Sequence, residues 1–255
     1  MANPVGRRRR KKSKHRNTLS FFVMGLCAVL SLFLALHDYK NTKPTVPAAA
    51  PPTPNAVQIA AQSTAPTTPP SEGDWQLALV NKWNPLAPDA DPAITTLSNG
   101  ERVDTRIYAP LQAMFDAARD NGVYPVVASG YRTAQEQQQI YDDKLNAYKA
   151  EGLSDAEARA ETDCWVAAPG TSEHQLGLAV DINADGVHSA GEEVYAWLKD
   201  NAHLYGFINR YPADKTELTG VSNEPWHYRY VGVDAATAIY GQGVCLEEYL
   251  GAAAR

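Results

Sequence analysis

The chain has little positive charge after its first 18 residues. Eight of its 23 lysines and arginines lie in this basic head, which has no acidic residue, so the rest of the chain carries 15 basic and 29 acidic side chains. A protein that binds nucleic acid needs a basic surface to contact the phosphates. We therefore expect no nucleic acid among the partners of the folded part.

Cysteine is also scarce, with three residues in a chain of 255. Cys27 lies in an apolar run near the N-terminus, and Cys164 and Cys245 lie far apart in the C-terminal part. A disulfide between the last two would close a long loop and stabilise the domain in an oxidising compartment. Two buried free thiols are the alternative.

Charge is absent from residues 19–36, LSFFVMGLCAVLSLFLAL. This length is near the lower limit for a helix that spans a bilayer, and the basic cluster before it predicts a cytoplasmic N-terminus. A cleaved signal peptide has the same charge pattern, but no small-x-small cleavage site comes directly after the run. We predict a cytoplasmic tail over 1–18 and a single-pass signal anchor in the cell membrane over 19–36, with a cleaved signal peptide as the alternative.

Large apolar residues are few in the next segment, which is rich in Pro, Ala and Thr. Such a composition cannot bury enough surface to fold, and its prolines keep the chain extended. We predict an extracytoplasmic linker over 37–73 and one catalytic domain over 74–251, held outside the membrane.

The domain has no internal repeat, and its helix and strand patterns alternate without a regular βαβ order. Capping-box pairs at Thr133/Glu136 and Ser154/Glu157 predict helix starts. The patterns predict helices over 110–120, 133–150, from 154, 192–202, 234–240 and 246–250, and strands over 124–128, 178–182 and 226–231. We expect an α+β fold with a small, mainly antiparallel sheet flanked by helices.

His174, Asp181 and His227 offer two imidazoles and one carboxylate. A catalytic zinc ion typically takes three nitrogen and oxygen ligands from the protein and keeps a fourth position open. Glu224 lies three residues before His227, where a carboxylate can take the proton of an attacking water. From the residues alone, two unrelated hydrogen-bonded histidines are the alternative.

Three segments carry a family resemblance. Residues 172–181 contain the pattern Ser-x-His-x-x-Gly-x-Ala-x-Asp, residues 224–227 contain Glu-x-x-His, and residues 129–132 read Ser-Gly-Tyr-Arg. Together they resemble the LAS-type zinc D-alanyl-D-alanine carboxypeptidases of peptidase family M15, in the VanY-like branch. The resemblance covers residues 77–250.

The resemblance implies a zinc site in a cleft on the sheet, with His174, Asp181 and His227 as ligands of Zn²⁺. It implies that Glu224 acts as general base and then as general acid. Arg132 is implied as a catalytic oxyanion partner, because its guanidinium suits a developing negative charge.

The resemblance also implies a substrate. Arg132, Gln137 and Ser172 would bind the stem peptide of peptidoglycan, and the terminal D-Ala-D-Ala bond, or an L,D bond one residue further in, would be hydrolysed. We expect a monomer. A non-catalytic zinc-containing module that binds cell wall is the alternative function, and Glu224 argues against it because such a module needs no carboxylate beside the metal.

Overall fold

The computed structural model describes residues 74–87 and 90–252. The predicted basic tail, the signal anchor over 19–36 and the linker over 37–73 lie outside these described residues. Within them, no helix combines the length and the apolar character that a membrane span requires.

A four-stranded antiparallel sheet forms the centre of the domain. Its strands run in the order β3-β4-β6-β5, and a separate two-stranded antiparallel ribbon precedes it in the chain. The strands are β1 Ile94–Thr96, β2 Arg102–Asp104, β3 Pro125–Ser129, β4 Ala179–Ala184, β5 Phe207–Tyr211 and β6 Glu224–Tyr230.

Seven α-helices flank the sheet in the described part of the chain. They are α1 Thr105–Asp120, α2 Ala134–Ala150, α3 Asp155–Asp163, α4 Gly191–Asn201, α5 Thr216–Thr219, α6 Val233–Gln242 and α7 Leu246–Tyr249. The capping boxes at Thr133 and Ser154 are both formed. The expected α+β fold with a small antiparallel sheet flanked by helices is confirmed.

The sheet separates an apolar core from a polar face. Val180, Ile182 and Tyr228 are buried in one cluster with residues of α1 and α4. Because successive side chains of a strand point to opposite faces, Asp181 and His227 lie on the other side of the sheet. The period-two pattern of β4 and β6 therefore builds the core and the polar site at once.

Three strands are absent from the sequence prediction, and α1 begins earlier than predicted. The side chain of Asp104 accepts a hydrogen bond from the backbone N–H of Arg106 and caps α1 there, so Pro110 lies inside the helix. Strand β5 contains Arg210, which is fully buried. A buried arginine breaks the apolar pattern by which a buried strand is found in a sequence.

The predicted disulfide is wrong, because both cysteines of the described residues are free. Cys164 is exposed at the C-terminal end of α3, where its thiol contacts the carbonyl of Ala160 at 3.3 Å. Cys245 is buried at the start of α7. The alternative of two buried free thiols is correct in that both thiols are free, but only Cys245 is buried.

We expect the two thiols to differ strongly in reactivity. Burial raises the pKa of Cys245 to about 11, so its reactive thiolate is scarce as well as shielded. In a Cys27→Ser background, iodoacetamide should modify Cys164 in the folded protein and Cys245 only after denaturation, as measured by peptide mass spectrometry. If neither thiol of the denatured protein reacts until a reductant is added, the two cysteines form a disulfide after all.

Candidate active site

Two strands and one short helix bring the three predicted metal ligands together. Asp181 of β4 is directly opposite His227 of β6, and His174 lies on the 3₁₀ turn Glu173–Leu176. Their ligand atoms all lie within 4.8 Å of one another. His227 Nδ1 is 3.0 Å from Asp181 Oδ1, and His174 Nε2 is 3.4 Å from Asp181 Oδ2.

The electrostatics of Asp181 and His174 suit a cation site, whereas, against the effect of burial, the carboxylates around His227 raise its pKa to about 9, so its ring must give up a proton to a bound metal. Burial alone would raise the pKa of Asp181, but the imidazoles of His174 and His227 hold it well below its usual value. Burial lowers the pKa of His174, which favours the neutral ring. An ionised carboxylate and a neutral imidazole are the forms that bind metals.

Two glycines allow the backbone of β2 to pack closely against the segment after β3 and against the turn that carries His174. A Cβ atom at Gly130 would clash with the backbone carbonyl of Arg102. Gly177 has a φ of +71°, and a Cβ there would lie 2.8 Å from the backbone nitrogen of Asp104. The glycines of the two sequence motifs therefore allow close approach of two backbone segments.

A bulge in β6 decides where Glu224 points. Asn209 pairs with Tyr228 and Tyr211 pairs with Glu224, so β6 advances four residues while β5 advances two. In a regular strand, Glu224 and His227 would face opposite sides, because they are three residues apart. The extra residues turn Glu224 to the face of the ligands, where its Oε2 lies 3.6 Å from His227 Nδ1.

Glu224 is almost completely buried, and its environment suits proton transfer. Burial raises the pKa of Glu224 to about 7, with the nearby charge of Asp181 adding to the effect and those of His227 and Arg132 opposing it. A bound dication would favour the ionised form and draw the pKa down again. The carboxylate can therefore both accept and return a proton near neutral pH.

Arg132 lies beside Asp181 and contacts it directly. Its Nη2 donates to Asp181 Oδ2 at 2.7 Å, its Nε to Ser129 Oγ at 2.9 Å and its Nη1 to Gln137 Oε1 at 3.3 Å. These bonds use three of the five N–H donors of a guanidinium, which leaves two for another ligand. The structure therefore gives Arg132 a role in orienting Asp181 that the sequence did not indicate.

The two other predicted substrate residues are buried. Gln137 accepts from Arg132 and donates from its Nε2 to the carbonyl of Ala167 at 2.7 Å, so both ends of its amide have partners in the protein. Ser172 precedes the 3₁₀ turn that carries His174. Substrate binding by Gln137 and Ser172 stays a prediction.

Sequence reasoning missed two neighbours of His227. The ring of Tyr211 lies 4.8 Å from the ring of His227, and Glu173 Oε2 lies 3.9 Å from His227 Nε2. Tyr211 belongs to β5, which the sequence did not predict. The signal for Glu173 was its place next to His174, but sequence adjacency does not show that it faces the other histidine.

Comparison with known proteins agrees with this geometry. Residues 100–233 match the family described as VanY, D-alanyl-D-alanine carboxypeptidase. A D-alanyl-D-alanine carboxypeptidase of Enterococcus faecalis is 65% identical over 179 residues, which are 70% of this chain and 67% of that protein. The chain belongs to the VanY family of D-alanyl-D-alanine carboxypeptidases. It is therefore a zinc metallopeptidase.

Two solved VanY structures extend the similarity to three dimensions. A mutant of the vancomycin-resistance D,D-pentapeptidase VanY from a VanB-type resistance cassette, in complex with Zn(II), has a TM-score of 0.68 and is 65% identical; the match covers 69% of this chain and 99% of that one. VanYB in complex with D-alanine-D-alanine has a TM-score of 0.69 and 65% identity, covering 69% of this chain and 98% of its own.

The residues of this chain fit a zinc ion. His174 Nδ1 is 2.7 Å from the carbonyl oxygen of Gly130, which can only accept a hydrogen bond, so Nδ1 carries the proton and Nε2 is free to bind metal. Zinc would be held by His174 Nε2, the Asp181 carboxylate and His227 Nδ1. Two imidazoles and a carboxylate are a typical donor set for catalytic zinc.

We expect Gly177→Ala to destabilise the protein more than Gly122→Ala. Both glycines have a positive φ, +71° and +76°, but a Cβ at Gly122 meets nothing within 4 Å. Each variant loses about 1–2 kcal/mol from the left-handed backbone. Gly177→Ala should lose about 1–3 kcal/mol more, because Asp104 must move.

The free energy of unfolding of both metal-free variants in urea measures this difference. Gly177→Ala should also bind zinc more weakly, since the turn that it ends carries His174. Equal destabilisation by the two substitutions would show that the approach of Asp104 imposes no constraint on Gly177.

Proposed function

We propose that this chain removes the terminal D-alanine from stem peptides of peptidoglycan, as a zinc-dependent D,D-carboxypeptidase. The observation that carries the proposal is the position of Glu224. The bulge in β6 turns its buried carboxylate to the face of the candidate metal ligands, where Glu224 Oε2 lies 3.6 Å from His227 Nδ1. A module that merely bound cell wall would have no need of this arrangement.

The chemistry of hydrolysis follows from the positions of the side chains. Zinc, when bound, polarises the scissile carbonyl and makes water a better nucleophile near neutral pH. Glu224 takes the proton of the attacking water and then delivers it to the nitrogen of the leaving D-alanine. The same carboxylate serves both transfers, and no covalent intermediate with the protein is required.

Arg132 supplies the positive charge of the site. Its two remaining N–H donors suit the negative oxygen that forms on the attacked carbonyl, or the terminal carboxylate of the peptide. Its bond to Asp181 and its bond to Ser129 hold the guanidinium in place before the substrate arrives. Such preorganisation lowers the cost of binding charge that develops during the reaction.

The preference for a D,D bond is supported by the relatives at 65% identity. One is named a D-alanyl-D-alanine carboxypeptidase, and one solved structure contains D-alanine-D-alanine. Because zinc and a general base serve D,D and L,D hydrolysis equally, L,D-carboxypeptidase activity is the other outcome of an assay with defined stem peptides. We also propose that the enzyme acts as a monomer, since one chain supplies every ligand and the base.

We expect Glu224→Gln and His227→Ala to inactivate the enzyme in different ways. Glu224→Gln keeps the shape of the side chain but removes the proton acceptor, so kcat should fall by about 10²–10⁴ while zinc stays bound. His227→Ala removes a ligand and should lose both zinc and activity. Metal content of the purified full chain and release of D-alanine from a stem pentapeptide measure the two effects.

The substrate is tested with tripeptide, tetrapeptide and pentapeptide stems analysed by mass spectrometry. Wild type should shorten the pentapeptide by one residue and leave the tetrapeptide intact, whereas cleavage of the tetrapeptide alone would make the enzyme an L,D-carboxypeptidase. Activity of Glu224→Gln within a few fold of wild type would refute the assigned base. A protein that binds pentapeptide without cleaving it would be a binding module.

We further propose that residues 19–36 anchor the enzyme in the cell membrane with the catalytic domain outside. The support is the uncharged run of 18 residues that lies directly after the basic head. The linker over 37–73 would let the domain reach the cell wall, which is where its proposed substrate lies.

We expect protease added to intact, wall-stripped cells to release the catalytic domain. The reason is that the positive-inside rule leaves the basic head in the cytoplasm and places the linker and the domain outside. Immunoblotting of the cell pellet and the supernatant measures the release, with a cytoplasmic protein as control. A domain that stays protected as well as the cytoplasmic control would contradict the proposed orientation.

A further inference from the structure

Glu173 is next to His174 in the sequence, but its carboxylate faces the other histidine ligand. The side chain is fully buried. One oxygen, Oε1, accepts from Arg210 Nε at 2.8 Å and lies 2.8 Å from Arg229 Nη1 in an ionic contact. The other oxygen, Oε2, has no hydrogen-bond partner and lies 3.9 Å from His227 Nε2.

The two nitrogens of His227 have separate surroundings. Nδ1 faces Asp181 at 3.0 Å and Glu224 at 3.6 Å, on the side of the metal ligands. Nε2 is buried, has no hydrogen-bond partner and faces Glu173. Two buried polar atoms that face each other without a bond are unusual in a folded protein, and a movement of about 1 Å would bring them to hydrogen-bond distance.

We propose that Glu173 is a positioning residue for the zinc site. Its Oε2 accepts the Nε2–H of His227, which keeps the lone pair of Nδ1 directed at the metal. His174 is served in the same way by the carbonyl of Gly130, which accepts from its Nδ1 at 2.7 Å. Partners of this kind fix the tautomer and the ring orientation of histidine ligands. The inference rests on the zinc-dependent function proposed for this chain.

Buried arginines hold Glu173 in place. Arg210 donates in a bidentate manner to Glu247 of α7 at 2.8 and 2.6 Å, and Glu247 accepts from Asn81 at 3.1 Å. Arg229 donates to the backbone carbonyls of two residues near the start of the domain, Gln76 at 3.1 Å and Ala78 at 2.8 Å.

This cluster of Glu173, Arg210, Arg229 and Glu247 therefore joins both ends of the described domain to the metal site. It also neutralises the charge of Glu173, which could not otherwise be buried at low cost. Glu173 faces the Nε2 side of His227, away from Glu224, and its side chain is fully buried. Its effect on the reaction must pass through the ligand.

The experiment compares Glu173→Gln with Glu247→Gln in the full chain. Both substitutions remove one negative charge that pairs with Arg210, so both weaken the same buried cluster, but only Glu173 faces His227. Competition with a chromogenic chelator measures the dissociation constant of zinc, and urea unfolding of the metal-free proteins measures stability.

We expect Glu173→Gln to weaken zinc binding by about 10–100-fold and Glu247→Gln to leave it within about threefold of wild type. Zinc binding by Glu173→Gln within about threefold of wild type, or an equal loss in both variants, would overturn the proposal. Failure of wild type to bind zinc would instead refute the zinc-dependent function.

Nitrogen-15 NMR of the zinc-loaded wild type is a second measurement, which does not depend on the folding of a variant. It should find the ring proton of His227 on Nε2 and protected from exchange. A proton on Nδ1 would overturn the proposal.

Discussion

The pairing of β4 with β6 is the constraint on which the site depends. It sets Asp181 opposite His227, so that two of the three candidate metal ligands are brought together by the hydrogen bonds between two strands. The same register buries Val180 against Tyr228 on the other face. A shift of one residue would move the ligands into the core and the apolar side chains into the cleft. The same strand pairing thus places the core residues and the site residues.

Irregularities in two strands position the site residues that the regular register does not place, namely Glu224 and Arg132. The bulge in β6 brings Glu224 to the ligand face. A second irregularity in β3 lets Ser129 pair with Asp181, and Arg132 then bonds to both residues. Bulges are common next to active sites because they redirect a side chain without ending the strand. The base and the arginine of this site are both positioned in this way.

A buried cluster of charges supports the other side of His227. Arg210, Arg229, Glu173 and Glu247 lie in the interior with almost no exposure. Such ions are expensive to bury, and replacement by apolar residues often leaves a protein equally stable. Only Glu173 of the four faces His227, and the two arginines offset the charge that it brings into the interior.

The sequence by itself predicted the fold class and the capping boxes of α2 and α3, and its family motifs singled out the three residues that the structure brings together as a candidate metal site. These depend on local rules, because side-chain period, cap chemistry and motif spacing act within a few residues of each other. Tertiary structure decided that Glu224 faces the candidate metal ligands, that Glu173 faces His227 rather than its neighbour His174, and that Cys164 and Cys245 stay free thiols. Tertiary structure also made β5 possible, because its buried Arg210 pairs with Glu173 and Glu247, which are distant in the chain. Each of these depends on contacts between residues distant in the chain, which no local pattern encodes.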